Sequence, residues 1–201
     1  MASAKYNALL FFGYPGCGKG TQGITLAGMP NLYHLAMGDI FRGLDRESAI
    51  GKEFLSYSTK GLLVPDELTV RVWKRHVDAH VEAGNIDPAY HVLILDGIPR
   101  TPAQVEHLNP LVDVLRIIHL KMDDQDKLVE RLRNRAAKSN RPDDAKESVI
   151  RNRIKVYEDE TLPVLACYDR SLLTDINADQ PPLAVLRDIC DALVPVVPAK
   201  I

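Results

Sequence analysis

Short, continuously apolar runs alternate along the chain with longer stretches in which apolar residues recur every three or four positions. The short runs are ALLFF (8 to 12), YHLAM (33 to 37), HVLILD (91 to 96), VLRIIHL (114 to 120) and LLTDI (172 to 176). Each lacks the in-out alternation of a half-exposed strand, so each reads as a strand covered on both faces, as in a parallel sheet. The longer stretches predict helices over roughly 19 to 27, 39 to 46, 66 to 82, 123 to 135, 144 to 168 and 182 to 193. Strand and helix in alternation predict an α/β fold of three layers around a five-stranded parallel sheet. Within 144 to 168, Asp144 and Glu147 have capping-box spacing. Ile150, Ile154 and Tyr157 form an apolar stripe, and Pro163 lacks the N–H that a continuing helix needs. The linker-like stretches are GNIDPAY and the polar AAKSNRPDD.

Length and composition narrow the class. A chain of 201 residues with 46% hydrophobic and 26% charged residues suits one domain with one core. A net charge of −2 provides no global field for nucleic acid. The three cysteines form no CxxC pair, which predicts a reducing compartment and neither a disulfide framework nor a zinc site. The first apolar stretch is too short for a secretory signal, and no run approaches the roughly 18 apolar residues of a membrane span. The expectation is a soluble cytoplasmic protein. The six histidines show no ligand spacing. His34 and His91 are expected at strand starts, and His76 and His80 on one exposed helical face.

The candidate chemistry begins directly after the first strand, at GYPGCGKGTQ (13 to 22). Gly13, Gly16 and Gly18 allow a tight turn that brings successive backbone N–H groups toward a ligand. The helix starting near Lys19 adds the positive end of its dipole, and Lys19 adds a mobile charge suited to β and γ phosphates. Thr21 supplies a hydroxyl near phosphate or magnesium. Gly-x4-Gly-Lys between a strand and a helix is the context of a P-loop. Gly20 occupies the place where the general motif has Ser or Thr, and the hydroxyl arrives one residue later. Cys17 is open to two readings. It is either a small space-filler or a thiol whose pKa the helix terminus and Lys19 lower.

The PGCGKGTQ spelling resembles the nucleoside monophosphate kinases, the adenylate kinase family in particular. MGDIFR (37 to 42) is similar to that family's Thr-Gly-Asp-x-x-Arg segment, and GLLVPDE (61 to 67) to its Gly-x-Leu-Val-x-Asp-Glu segment. LDGIPRTPAQ (95 to 104) is similar to its Asp-Gly-Phe-Pro-Arg-Thr-x-x-Gln segment, and RPDD (141 to 144), Arg153 and ETLPVLACY match its C-terminal part. The resemblance runs in order from residue 8 to about 170. It implies a P-loop NTPase fold forming one domain over 1 to 201, with a helical acceptor-binding insertion at about 37 to 64. It also implies a short lid at about 135 to 144.

The implied reaction is transfer of the γ-phosphoryl of MgATP to AMP, reversibly giving two ADP, by a monomer. Such chemistry is mostly positioning and charge neutralisation, for which arginine's planar fork is suited. By resemblance, Gly16, Cys17, Gly18, Lys19, Gly20 and Thr21 would hold ATP, with Arg131 over the adenine and Arg135 at its phosphates. Arg42 and Arg100 would grip the acceptor phosphate. Met37, Leu62, Leu63 and Val64 would line the base pocket beside Gly97, Ile98 and Pro99, and Gln104 would read the base through its amide. Arg141 and Arg153 would close on the phosphoryl group in flight, and Asp96 would orient water around Mg2+. Asp143 and Asp144 either cap a helix or pair with lid arginines.

Met37 stands where adenylate kinases usually have Thr and pyrimidine-type kinases usually have Ala. Its thioether packs against a base but accepts hydrogen bonds weakly. Ile98, in place of the usual Phe, is expected to alter the same wall. The Thr and Gln of PRTPAQ match the AMP-type pattern. The alternatives are a UMP/CMP-type kinase and a non-catalytic nucleotide-binding relative.

Overall fold

The computed structural model describes residues 5 to 138 and 146 to 197. Five parallel strands form one sheet, β1 (Tyr6–Gly13), β2 (Leu32–Ala36), β3 (Val92–Asp96), β4 (Val112–Lys121) and β5 (Leu173–Asn177), in the order β2-β3-β1-β4-β5. Parallel register pairs Phe11 with Asp96, Gly13 with Leu120 and Ala36 with Asp96. The carboxyl ends of three strands therefore bring the phosphate loop, Met37 and Asp96 to one edge, where open α/β sheets bind ligands.

Side-chain alternation along β1 divides the core into two layers. Leu9 and Phe11 pack with Ile94, Ile118, Leu120 and the apolar faces of α1 (Lys19–Leu26), α6 (Gln125–Lys138), α7 (Glu147–Val156) and α8 (Pro182–Leu193). Ala8, Leu10 and Phe12 pack on the other side with Leu93, Leu95, Ile117 and the faces of α2 (Met37–Arg42), α4 (Asp66–Glu82) and α5 (Pro102–Leu108). Both faces of β1 and β3 are buried, which explains why these central strands read as unbroken apolar runs.

Helices α4 and α8 fall on the predicted bounds. The expected helix at 39 to 46 is instead α2, closed at Gly43, and a separate α3 (Ala49–Ser58) follows. Ser48 opens α3 by accepting the Gly51 N–H. Phe41 and Phe54 tie the two helices together as parallel rings 4.9 Å apart. Helix α5 was not foreseen, being short. Thr101 caps it by accepting the Gln104 N–H at 3.2 Å, and Pro102 occupies its first turn.

The expected long helix over 144 to 168 is α-helical only through α7. A π-helical turn (Tyr157–Thr161) and a 3-10 turn (Leu162–Cys167) containing Pro163 follow. Helix α7 starts at Glu147 with Lys146 at its N-cap position, and Glu147 pairs with Arg133 and Arg151. Asp143 and Asp144 lie outside the described residues. His34 is not at a strand start but in the middle of β2 and nearly buried, while His91 directly precedes β3. Among the described residues no helix is long and apolar enough to cross a membrane.

Candidate active site

Helix α1 opens at Gly18, whose φ of 111° is left-handed, and no side chain caps it. A glycine here lets the chain turn abruptly into the helix while leaving first-turn N–H groups for an anion. Lys19 reaches back across the loop and donates from Nζ to the carbonyl oxygens of Gly13 (2.6 Å) and Tyr14 (3.1 Å). Its ammonium is thus held at the mouth of the cradle. Cys17 lies beneath, buried, with Sγ 3.9 Å from Lys19 Nζ. Burial pushes this thiol above its ordinary pKa despite the lowering effect of Lys19. With the residue only 3% exposed, this supports Cys17 as packing rather than as an activated thiol.

Asp96 ends β3 beside the loop. Burial, the largest influence on its carboxyl, pushes the pKa up. His34, Lys19 and Arg100 act together against it and hold the group below the usual carboxylate range. His34 Nε2 lies 3.8 Å from Asp96 Oδ2, beyond hydrogen-bond distance. Arg100 donates from Nε to the Gly97 carbonyl at 2.9 Å, and Arg42 from Nη2 to Asp39 at 2.7 Å.

These groups border one chamber of about 750 Å³, within the usual range for ligand sites. On the loop side its lining includes Gly16, Cys17, Gly18, Lys19, Gly20 and Thr21, with Arg131 and Arg135 from α6. The same lining includes Met37, Arg42, Leu62, Leu63, Val64, Asp96, Gly97, Pro99, Arg100, Gln104 and Arg153. Ile98 is the exception. It is buried in the core with Trp73 and Leu95 and does not line the chamber, because an apolar side chain beneath the end of β3 gains more from the core than from a wet wall. Arg141 lies outside the described residues. Met37 is 2% exposed, so its thioether is wall packing shared with the core.

Two arrangements were not foreseen. Gln104, 1% exposed, accepts the Arg100 N–H at Oε1 (2.7 Å) and donates from Nε2 to Asp66 Oδ1 (2.8 Å). Behind the loop, Tyr157 Oη lies 3.3 Å from His119 Nε2, whose Nδ1 is 2.9 Å from Asp175. Tyr157 also packs its ring 4.6 Å from that of Tyr14, which donates to Glu158. Burial pushes the Tyr14 phenol up to about 12, with Glu158 adding to it, and pushes the His119 imidazole down against the pull of Asp175. The sequence signal for this network was only a polar His inside an apolar strand.

An uncapped helix and a lysine at the carboxyl edge of a five-stranded parallel sheet, facing a chamber lined by arginines, define a P-loop nucleotide-binding fold. The adenylate kinase family model matches residues 11 to 172. An adenylate kinase of Synechococcus sp. (strain CC9311) is 39% identical over 177 residues, covering 85% of this chain and 89% of the relative. That of Flavobacterium psychrophilum is 37% identical over 166 residues (80% and 83%), and that of Mycoplasma pneumoniae 34% over 203 residues (87% and 92%). The chain belongs to the adenylate kinase family.

Proposed function

We propose that the chain transfers the γ-phosphoryl group of MgATP to AMP, reversibly giving two ADP, as a soluble cytoplasmic monomer with no nucleic-acid or membrane partner. The supporting observation is the concentration of cations around one chamber, whose lining includes Lys19, Arg42, Arg100, Arg131, Arg135 and Arg153. ATP takes the phosphate loop, with Arg131 against its base and Arg135 at its phosphates. AMP takes the opposite wall, its phosphate held by Arg42 and Arg100. Arg153, with Arg141 from the lid, neutralises charge on the phosphoryl group as it passes. Bringing two polyanions into line is the main barrier, and fixed cations with excluded water lower it.

The residues suit Mg2+. Asp96 is a carboxylate held ionised beside the loop, and Thr21 adds a hydroxyl, both oxygen donors for a hard cation. Bound with ATP, the ion supplies further neutralisation of the phosphates. No zinc is required. The reading treats the chain as one P-loop domain with an acceptor insertion at about 37 to 64 and a short lid at about 135 to 144.

Met37 supports a second reading, a UMP/CMP-type kinase, since a buried thioether provides no strong hydrogen bond to a purine. Product analysis with AMP, UMP, CMP, GMP and dAMP, using ATP and GTP as donors, separates the two. AMP with ATP is expected to turn over fastest, faster UMP or CMP would favour the second reading, and no turnover with any monophosphate would leave a non-catalytic relative.

A further inference from the structure

An amide side chain reads a base by offering a donor and an acceptor side by side, and it can do so in either of two orientations unless something fixes it. In this chain both ends of the Gln104 amide are fixed. The backbone N–H of Arg100 can only donate, so the atom 2.7 Å from it is the oxygen, Oε1. The carboxylate of Asp66 can only accept, so the atom 2.8 Å from it is the nitrogen, Nε2. Turning the amide over would set NH2 against N–H and oxygen against carboxylate at once. Each buried mismatch costs more than the bond it replaces is worth.

We propose that Asp66, with the Arg100 backbone, is a specificity-positioning residue that locks the polarity of Gln104 so that the acceptor site takes bases carrying an exocyclic amino group and refuses those carrying an oxo group. One Nε2–H and one Oε1 lone pair remain for the ligand. Adenine offers the matching pair, an amino donor at C6 next to a ring-nitrogen acceptor. Hypoxanthine has the same shape with a carbonyl oxygen in place of that amino group, so its oxygen would face Oε1. Cytosine and uracil stand in the same relation. Asp66 reaches no ligand itself. It lies in the first turn of α4 and acts through Gln104. The inference rests on the acceptor reading given above.

The test compares AMP with IMP, two nucleotides that differ in edge polarity and hardly in size, by chromatography of the products formed with ATP. The protein is expected to favour AMP by about 100-fold in kcat/KM, the upper scale of discrimination by one bidentate amide–base pair. CMP should exceed UMP in the same direction. In Asp66→Asn the new amide can turn to meet either orientation of Gln104, which removes one of the two mismatches. IMP use should rise about tenfold relative to AMP, read as the ratio of the two kcat/KM values. A loss of stability alone would lower both nucleotides together. Comparable turnover of AMP and IMP by the unaltered protein, or an unchanged AMP-to-IMP ratio in Asp66→Asn, overturns the inference. Absence of turnover with AMP overturns the kinase reading beneath it. The AMP/IMP and CMP/UMP ratios of the unaltered protein need no variant to fold.

Discussion

Gly61 sits where the turn after α3 packs against α7, and replacing it by alanine tests how that junction serves both stability and Arg153. Its φ of 71° is left-handed, as is usual for a glycine closing the turn after a helix. The Leu62 N–H returns to the Tyr57 carbonyl at 3.2 Å, and Asn152 from α7 donates to the Lys60 carbonyl at 2.8 Å. A Cβ at residue 61 would stand 2.9 Å from the Val149 carbonyl oxygen and 2.9 Å from Cγ of Arg153. The arginine stem can move, whereas the carbonyl belongs to the backbone of α7 and cannot yield alone.

The left-handed conformation costs alanine about 1–2 kcal/mol, and overpacking typically adds about 1–3 kcal/mol. For a chain of this size the combined loss lowers Tm by roughly 5–15 °C. Displacing the Arg153 stem by some tenths of an ångström moves the cation that the proposed mechanism sets against the transferred phosphoryl group, so kcat should fall by about 10- to 100-fold at a temperature well below Tm. Circular-dichroism melts and steady-state kinetics at 15 °C would measure both. A Tm within 2 °C of the parent would refute the packing argument. A lowered Tm with unchanged kcat would refute the link to Arg153.

Lys19→Met should reduce kcat by at least about 1,000-fold, since the cation proposed to meet the ATP phosphates is gone. It should also lower stability by about 1–3 kcal/mol, measured by urea unfolding, because Lys19 bonds the Gly13 and Tyr14 carbonyls. His119 is held below its ordinary pKa by burial, so as pH falls through about 6.5 the unfolded chain takes up a proton before the native one does. Stability should therefore be full above that pH and decline with acidification until the native imidazole also protonates. Melts from pH 7.5 to 5.5 should show this slope, shallower in His119→Gln, and an equal slope in the two proteins would refute it. With a thiol reagent, exposed Cys167 should react first and buried Cys17 only on unfolding. Mass mapping that finds Cys17 labelled in the folded protein would contradict its raised pKa.

What the sequence determined by itself was whatever local physics dictates. Apolar runs marked all five strands, most clearly β1 and β3, because strands buried on both faces cannot alternate. Gly-x4-Gly-Lys marked the cradle because a phosphate loop needs a tight turn, an open helix end and one lysine in consecutive positions. Helices α4 and α8 were legible from their long periodic stripes. The shorter α3 and α5 were not, since fewer than three turns carry little periodicity and depend on caps such as Ser48 and Thr101. The proposed site residues could be named from motif order, but their surroundings could not.

Tertiary structure alone decided that Ile98 turns into the core, that Cys17 is shielded beneath its loop, and that the helix carrying Arg153 runs into a π-helical turn seated by Tyr157 on His119. It also decided that Asp66 meets Gln104, 38 positions away. Burial and partner contacts between residues distant in the chain depend on how layers pack. A single sequence records which groups could pair, and only the assembled sheet and helices bring particular ones within hydrogen-bond reach.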